Sequence, residues 1–282
     1  MIFNTMVRGT DGEYPNAGYH NSIYRGKYLG TSVTADQWAE IAAGTFSDLY
    51  IGDYWTITAS DGTENRTVNW TICDFDYYYN MSDVQVTSHH IVMMPSVVLP
   101  LGGITLINTA NAGVTVTNQE TVTVYKWHAT MAAPNTNKTY DVLYTSSRIR
   151  TVVLPVADTL VKNAFGSSHC LAVSELFPTS YNSSTGLATG WGWSVDDRVC
   201  DLCNENMVYG SYAWGASQYE VGLDKNQLSI FRLYPRFLNI RAAWWLRSVY
   251  SATSVALVGN TGYAGGAGSS SVVGVRPRFC IY

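Results

Sequence analysis

The spacing of hydrophobic positions changes along this chain, and each change marks an element. Residues 1–30 are polar, with Asp11-Gly12 and Asn16-Ala17-Gly18 turn signals and with Tyr14, Tyr19, Tyr24 and Tyr28 scattered among them. Such a segment builds no core alone; it packs on a partner or a neighbouring subunit, or stays a loosely ordered terminus. Next, Trp38, Ile41 and Ala42 share one helical face, Thr34 and Gln37 have capping-box spacing, and Gly44 supplies a stop. That pattern predicts a short amphipathic helix. Runs 54–58 and 67–72 are rich in β-branched and aromatic residues and are joined through Ser60-Asp61-Gly62-Thr63, which reads as a hairpin. Thr, Val and Asn then crowd a stretch of about 100–140, predicting an inserted β-hairpin or arm that carries oligomer contacts or is a mobile surface insertion. From 145 the spacing lengthens to three and four. Ile149, Val152, Val153, Val156, Leu160 and Ala164 line one face as far as Gly166, predicting a helix over 146–166 with a kink or true start near Pro155. A second helix is expected over 198–209.

The last segment, 241–282, returns to short β-type runs. It opens on Trp244-Trp245-Leu246-Arg247 and closes on Gly274-Val275-Arg276-Pro277-Arg278-Phe279, and no residue from 248 to 275 carries a charge. Val255-Ala256-Leu257-Val258 and Val272-Val273 read as strands around Asn260-Thr261-Gly262 and Gly265-Gly266 turns. One reading is a Gly-rich strand-and-turn closure of a β domain. The other is a contact face, because Tyr gives area at low entropic cost while Ser, Gly and Asn give adaptable hydrogen bonding. On that reading Val249, Tyr250, Ser251, Ser254, Leu257, Asn260, Tyr263, Ser269, Ser270 and Ser271 touch the ligand. The scaffold beneath is held by Trp244, Trp245, Arg247, Gly274 and Arg276. The two arginines either meet the ligand or fasten the loops as buried guanidiniums, and the multi-donor fork suits the second role.

Composition narrows the classes. With 13% charged residues and a net charge of −4, the chain advertises no polyanion-binding face, so nucleic acid is not an expected partner. No run approaches the roughly 18 consecutive apolar residues of a membrane helix, so no membrane insertion is expected. The first residues lack a basic stretch followed by an apolar one, so no secretory signal is expected. Five irregularly spaced cysteines suggest a reducing compartment rather than a disulfide framework. Cys200-x-x-Cys203 with His169-Cys170 is the one zinc-like set, but spacing of three on a helix also suits two small core residues. His89-His90 would point to opposite faces of a strand. Asp74/Asp76 and Asp196-Asp197 are not placed to face one another across a sugar. No catalytic residue, metal or cofactor is therefore assigned, and the chain is not expected to be an enzyme.

Several stretches occur in a characteristic order: DLYIGDYWTI and WTICDFDYYYN near the start, then TVVLPVADTLVKNAFGSSH, LFPTS, GWGWSVDDRVCDLCNENMVYGSYAWG, QLSIFRLYPRFLN and the tail WWLRSV…ALVGNTGYA…GVRPRF. Over most of 32–60 and nearly all of 145–282 the chain resembles a phage and prophage structural-protein domain of unknown function, common in phages of gut Firmicutes. That domain is related to C-type-lectin-like, retroelement-diversified receptor-binding proteins. The resemblance implies an α+β fold: a C-type-lectin-like domain over 31–282, with helices at 146–166 and 198–209 packed on an antiparallel sheet. A β-rich segment at 1–30 for attachment or oligomer contacts and the insertion at about 100–140 would be appended, and 244–282 would be the variable face. An all-β jelly roll is the alternative. The implied function is a virion protein, assembled in the bacterial host cytoplasm, that binds a host-cell-surface receptor, protein or polysaccharide, and contacts other virion proteins. A purely structural capsid or tail component is the alternative. A homotrimer is expected, because weak single sites gain through multivalency. The calcium motifs of true C-type lectins, Glu-Pro-Asn or Gln-Pro-Asp followed by Trp-Asn-Asp, are absent. The reactive cysteine pair of the formylglycine-generating enzymes, which share that fold, has no convincing counterpart.

Overall fold

A computed structural model describes residues 16–80, 86–99, 128–129, 147, 149–181, 188–193, 198–211, 213, 226–251, 254–268, 271 and 273–282. The main sheet comprises β1 (Tyr28–Gly30), β2 (Tyr54–Ser60), β3 (Asn65–Phe75), β4 (Ile91–Pro95), β6 (Cys170–Leu171) and β13 (Phe279–Ile281), in the order β1-β2-β3-β4-β13-β6. Every neighbouring pair is antiparallel except β1 with β2, which is parallel. The C-terminal strand thus lies inside the sheet, between β4 and β6. A second sheet contains β5 (His128–Ala129), β9 (Trp244–Ser251), β10 (Ser254–Val258), β11 (Ala264–Gly268) and β12 (Val273–Gly274), in the order β11-β10-β9-β12-β5. β7 (Leu176–Tyr181) and β8 (Ala188–Trp193) form a separate pair. Among the described residues five α-helices accompany the sheets: α1 (Ala17–His20), α2 (Ala35–Ala43), α3 (Leu154–Phe165), α4 (Glu205–Tyr209) and α5 (Ser229–Leu233). The architecture is α+β.

Local signals explain the best-defined elements. α2 begins where Thr34 Oγ1 accepts the Gln37 N–H at 3.2 Å and Gln37 Oε1 accepts the Thr34 N–H at 3.0 Å, a complete capping box, and it ends at Gly44. The β2–β3 hairpin runs in register from Tyr54↔Thr71 to Ser60↔Asn65. Its period-two alternation puts Trp55, Ile57 and Ala59 inside. α3 packs on β2, burying Leu154, Ala157, Leu160 and Val161. Beneath it Trp70 meets Phe279 edge-on at 5.2 Å and Phe165 at 6.0 Å. Burying each such side chain favours folding by roughly 1.5–3 kcal/mol.

Four expectations need correction or bounds. The helix expected over 198–209 is only Glu205–Tyr209, capped by Asn204 Oδ1, which accepts the Met207 N–H at 2.8 Å. Residues 198–204 are not helical because Asp201 exchanges both backbone hydrogen bonds with Arg278, at 2.9 and 2.8 Å, and is drawn into a β-bridge. The helix expected over 146–166 is a π turn, Ile149–Val153, continuing into α3 with Pro155 in its first turn. Residues 16–30 are not an appendage: His20 is buried with Nδ1 2.6 Å from the Leu49 carbonyl, and Asn21 pairs with both backbone groups of Phe75 at 2.8 Å. Residues 1–15 and, apart from 128–129, the 100–140 insertion lie outside the described residues.

Asp74 makes the sheet sensitive to pH. It sits at a register shift of β3 with its carboxylate buried, accepting the Ser229 N–H at 2.7 Å. Burial pushes its carboxyl up to about 6, although the Ser229 hydrogen bonds act in the other direction. A raised folded-state value means the folded chain holds the proton where the unfolded chain has lost it, so stability is full below about pH 4 and falls as pH rises through about 6. The expected loss is about 3 kcal/mol, read from urea unfolding across that range. In Asp74→Asn that fall should disappear.

Candidate functional site

The C-terminal face is built in two layers, a buried charged base and an uncharged upper hairpin. In the base, Glu175 lies between β6 and β7 and is almost fully buried. Its Oε2 accepts from Arg247 of β9, while Oε1 accepts from Arg278, just before β13, and from the Tyr78 hydroxyl at 2.5 Å. One carboxylate therefore ties an arginine of the second sheet to an arginine entering the main sheet. Burial pulls the Arg278 guanidinium down, but Glu175 and further neighbours outweigh that and hold it firmly charged. Tyr78 is pushed well up by burial and stays a neutral donor. Arg150, from the π turn, reaches Asp201 at 3.4 Å beside the same strand.

Arg276 follows a different plan. It is fully buried on the crossing from β12 to β13, and its donors go to three carbonyls: Pro95 at 2.9 Å, Phe237 at 2.7 Å and Ser96 at 3.2 Å. Its guanidinium lies 3.9 Å from the Phe237 ring centroid and 5.2 Å from that of Trp244. Burial lowers it to about 10, which leaves it charged at neutral pH. Three carbonyl dipoles and two ring faces here replace its water. Trp244 and Trp245 are also fully buried, and a side chain at Gly274 would put a Cβ 2.8 Å from the Ala243 carbonyl. All five scaffold positions named from the sequence thus lie inside the protein.

The contact positions divide. β10 and β11 pair from Ser254↔Gly268 to Val258↔Ala264, and the connection is closed by the Gly259 N–H on the Tyr263 carbonyl at 2.8 Å. Gly265 and Gly266 are strand residues rather than a turn. Asn260, Thr261 and Tyr263 are exposed at this tip, Tyr263 by 58%. Ser254 and Ser271 are half-buried. Val249, Tyr250 and Ser251 are on β9, where Val249 pairs with Val255 and Ser251 with Ser254. Leu257 does not belong to the face: it is 7% exposed, opposite Trp245, with its Cδ1 3.1 Å from where a Gly265 Cβ would lie. β10 is covered on both faces, since Ala256 and Val258 on the opposite side are buried as well, so no position from Val255 to Val258 is left for a ligand. Ser269 and Ser270 lie outside the described residues.

The sets weighed for chemistry do not converge. Cys200 and Cys203 are buried but not on a helix, and burial holds the Cys203 thiol up at about 12. Cys170 Sγ donates to the Gly166 carbonyl at 3.3 Å, and the His169 ring stacks on Trp38 at 3.9 Å. The two histidine rings go to different partners: His89 Nδ1 is 2.7 Å from Asp76 Oδ2, whereas the His90 ring accepts the Tyr78 N–H at 3.0 Å and only the His90 backbone N–H reaches Asp76, at 2.9 Å. Asp74 faces Ser229 instead, and Asp196-Asp197 lie outside the described residues. Among the described residues no group of three or more His, Cys, Asp or Glu is placed to hold a metal ion, and no helix is long and apolar enough to cross a membrane. Glu175 was missed from the sequence, its only signal being a lone carboxylate in the apolar text LAVSELF. Comparison with family models, curated proteins and solved structures finds no match for this chain.

Proposed function

We propose that this chain is a virion protein of a bacterial virus that adheres to a host-cell-surface receptor through its C-terminal face, on a C-type-lectin-like domain. The observation that carries the reading is the pairing of an exposed, uncharged hairpin tip, Asn260-Thr261-Gly262-Tyr263, with a base clamped by Glu175, Arg247, Arg276 and Arg278. The segment 244–274 leaves and re-enters the interior at fixed points, so its tip can change without disturbing the sheets. An aromatic on a rigid support suits recognition, because little entropy is lost when it is covered. The lectin-like kinship, the virion setting, contacts with other virion proteins and a homotrimer are parts of the same proposal and rest on the sequence resemblance.

Tyr263→Ala and Asn260→Ala test the face. Both side chains are exposed, so unfolding free energy should stay within about 0.5 kcal/mol of the parent. Binding to host cells should nevertheless fall, by about 5-fold or more for Tyr263→Ala, since aromatic anchors dominate interface energetics. Melting curves and cell pull-down on the same samples separate the two effects. Unchanged adhesion in both variants, or collapse of the fold, would remove the assignment.

A further inference from the structure

We propose a second binding site, a pocket on the main sheet that takes the ring of a neutral saccharide. The proposal does not rest on the adhesion reading. The pocket has a volume of about 180 Å3 and opens to solvent between the β2–β3 hairpin and the segment carrying α5 and the turn Pro235–Leu238. Tyr24, Tyr54, Tyr234 and Phe237 supply its aromatic walls, and Asn69, Thr71 and Ser96 its polar points. Among the described residues, no charged side chain lines it.

The walls are preformed. Tyr24 and Tyr234 stack at 4.5 Å with 14° between their planes. The Tyr24 ring also covers Gly52, where any side chain would collide with it, and Gly52 has φ +87. Thr71 stands directly opposite Tyr54 across the two strands, and Asn69 lies two residues along, on the same face. Arg276 joins the remaining walls from below by holding the Ser96 and Phe237 carbonyls. A ring-sized ligand therefore meets a shape that is already set, which lowers the ordering cost of binding.

The chemistry selects the ligand class. Asn69 Oδ1 accepts from Thr56 Oγ1 at 2.8 Å, so the amide keeps its N–H donors for another partner. The hydroxyls of Thr71 and Ser96 have no side-chain hydrogen bond among the described residues. A wholly apolar ligand would cover these groups without pairing them, which is unfavourable. A charged ligand would find no counter-charge. A pyranose has an apolar C–H face for the tyrosines and a hydroxyl edge for the amide and hydroxyl groups, so it satisfies both. The volume lies below the roughly 300–1,000 Å3 of sites for drug-sized molecules, which fits one ring rather than a nucleotide or a peptide. Tyr28, half-exposed with its ring 5.6 Å from Tyr54, extends the aromatic surface toward a second sugar residue.

The test is saturation-transfer NMR and titration of the full chain with glucose, galactose, mannose, N-acetylglucosamine and adenosine. At least one pyranose should bind with Kd on the order of 1 mM. Asn69→Ala, an exposed position, should weaken that sugar about 5-fold, and Tyr234→Ala should weaken it more. The proposal is overturned if no pyranose binds at about ten times that concentration, if adenosine alone binds, or if a folded Asn69→Ala chain binds sugar as the parent does.

Discussion

Glu175→Ala should destabilise the protein by about 3–5 kcal/mol, because it removes the carboxylate that two buried guanidiniums and a buried tyrosine hydroxyl share. Arg247 and Arg278 are each only a few percent exposed, and both donate to this one carboxylate. Domains of ordinary stability hold about 5–15 kcal/mol, so a large share of the total is at stake. Glu175→Gln keeps the shape and one acceptor oxygen but loses the charge, and should fall between the parent and the alanine variant. Urea unfolding reads both. A loss below about 1 kcal/mol for Glu175→Ala would show that water or another carboxylate satisfies the two arginines. Such a triad need not add net stability over a well-packed apolar cluster. Its consequence here is geometric, since it fixes the second sheet, which carries the candidate face, against the strand that closes the main sheet.

Trp245→Ala should cost about 3–5 kcal/mol by a different route. Trp245 is fully buried on β9, opposite Leu257 of β10, so truncation leaves a cavity at the root of the hairpin. Trp245→Phe fills much of that space and should cost less. The loss should be largely independent of pH and salt, unlike that of Glu175→Ala, because no charge changes. A variant melting within about 1 kcal/mol of the parent would mean that the hairpin packs without this ring.

The two variants also mark how much was legible in the sequence. The α2 capping box and the β2–β3 hairpin depend on residues a few positions apart, and the spacing of apolar residues was enough to find them. Arg276 was recognisable as a guanidinium in uncharged surroundings, but not the three carbonyls, two of them about 180 positions away, that receive its donors. Glu175 pairs with partners 72 and 103 residues distant, and no local pattern announces that meeting. The 198–209 helix failed for the same reason, since a bridge to Arg278 overrides helical spacing around Asp201. Leu257 reads as part of the uncharged face by composition, but β10 is covered on both faces and encloses it. The sugar pocket was the least visible, because Tyr24, Tyr54 and Tyr234 come from separate parts of the chain and converge only when β1 lies beside β2 and α5 packs on β3.

The proposed role as a virion adhesion protein is tested most directly by binding of the labelled, purified protein to cells of the bacterial host, set against binding to virus particles that lack it. A receptor-binding face predicts saturable attachment to the cells, reduced when Tyr263 is replaced by Ala and retained when the pocket residue Asn69 is replaced. No attachment to cells, together with tight attachment to the deficient particles, would contradict the account and leave a structural virion component.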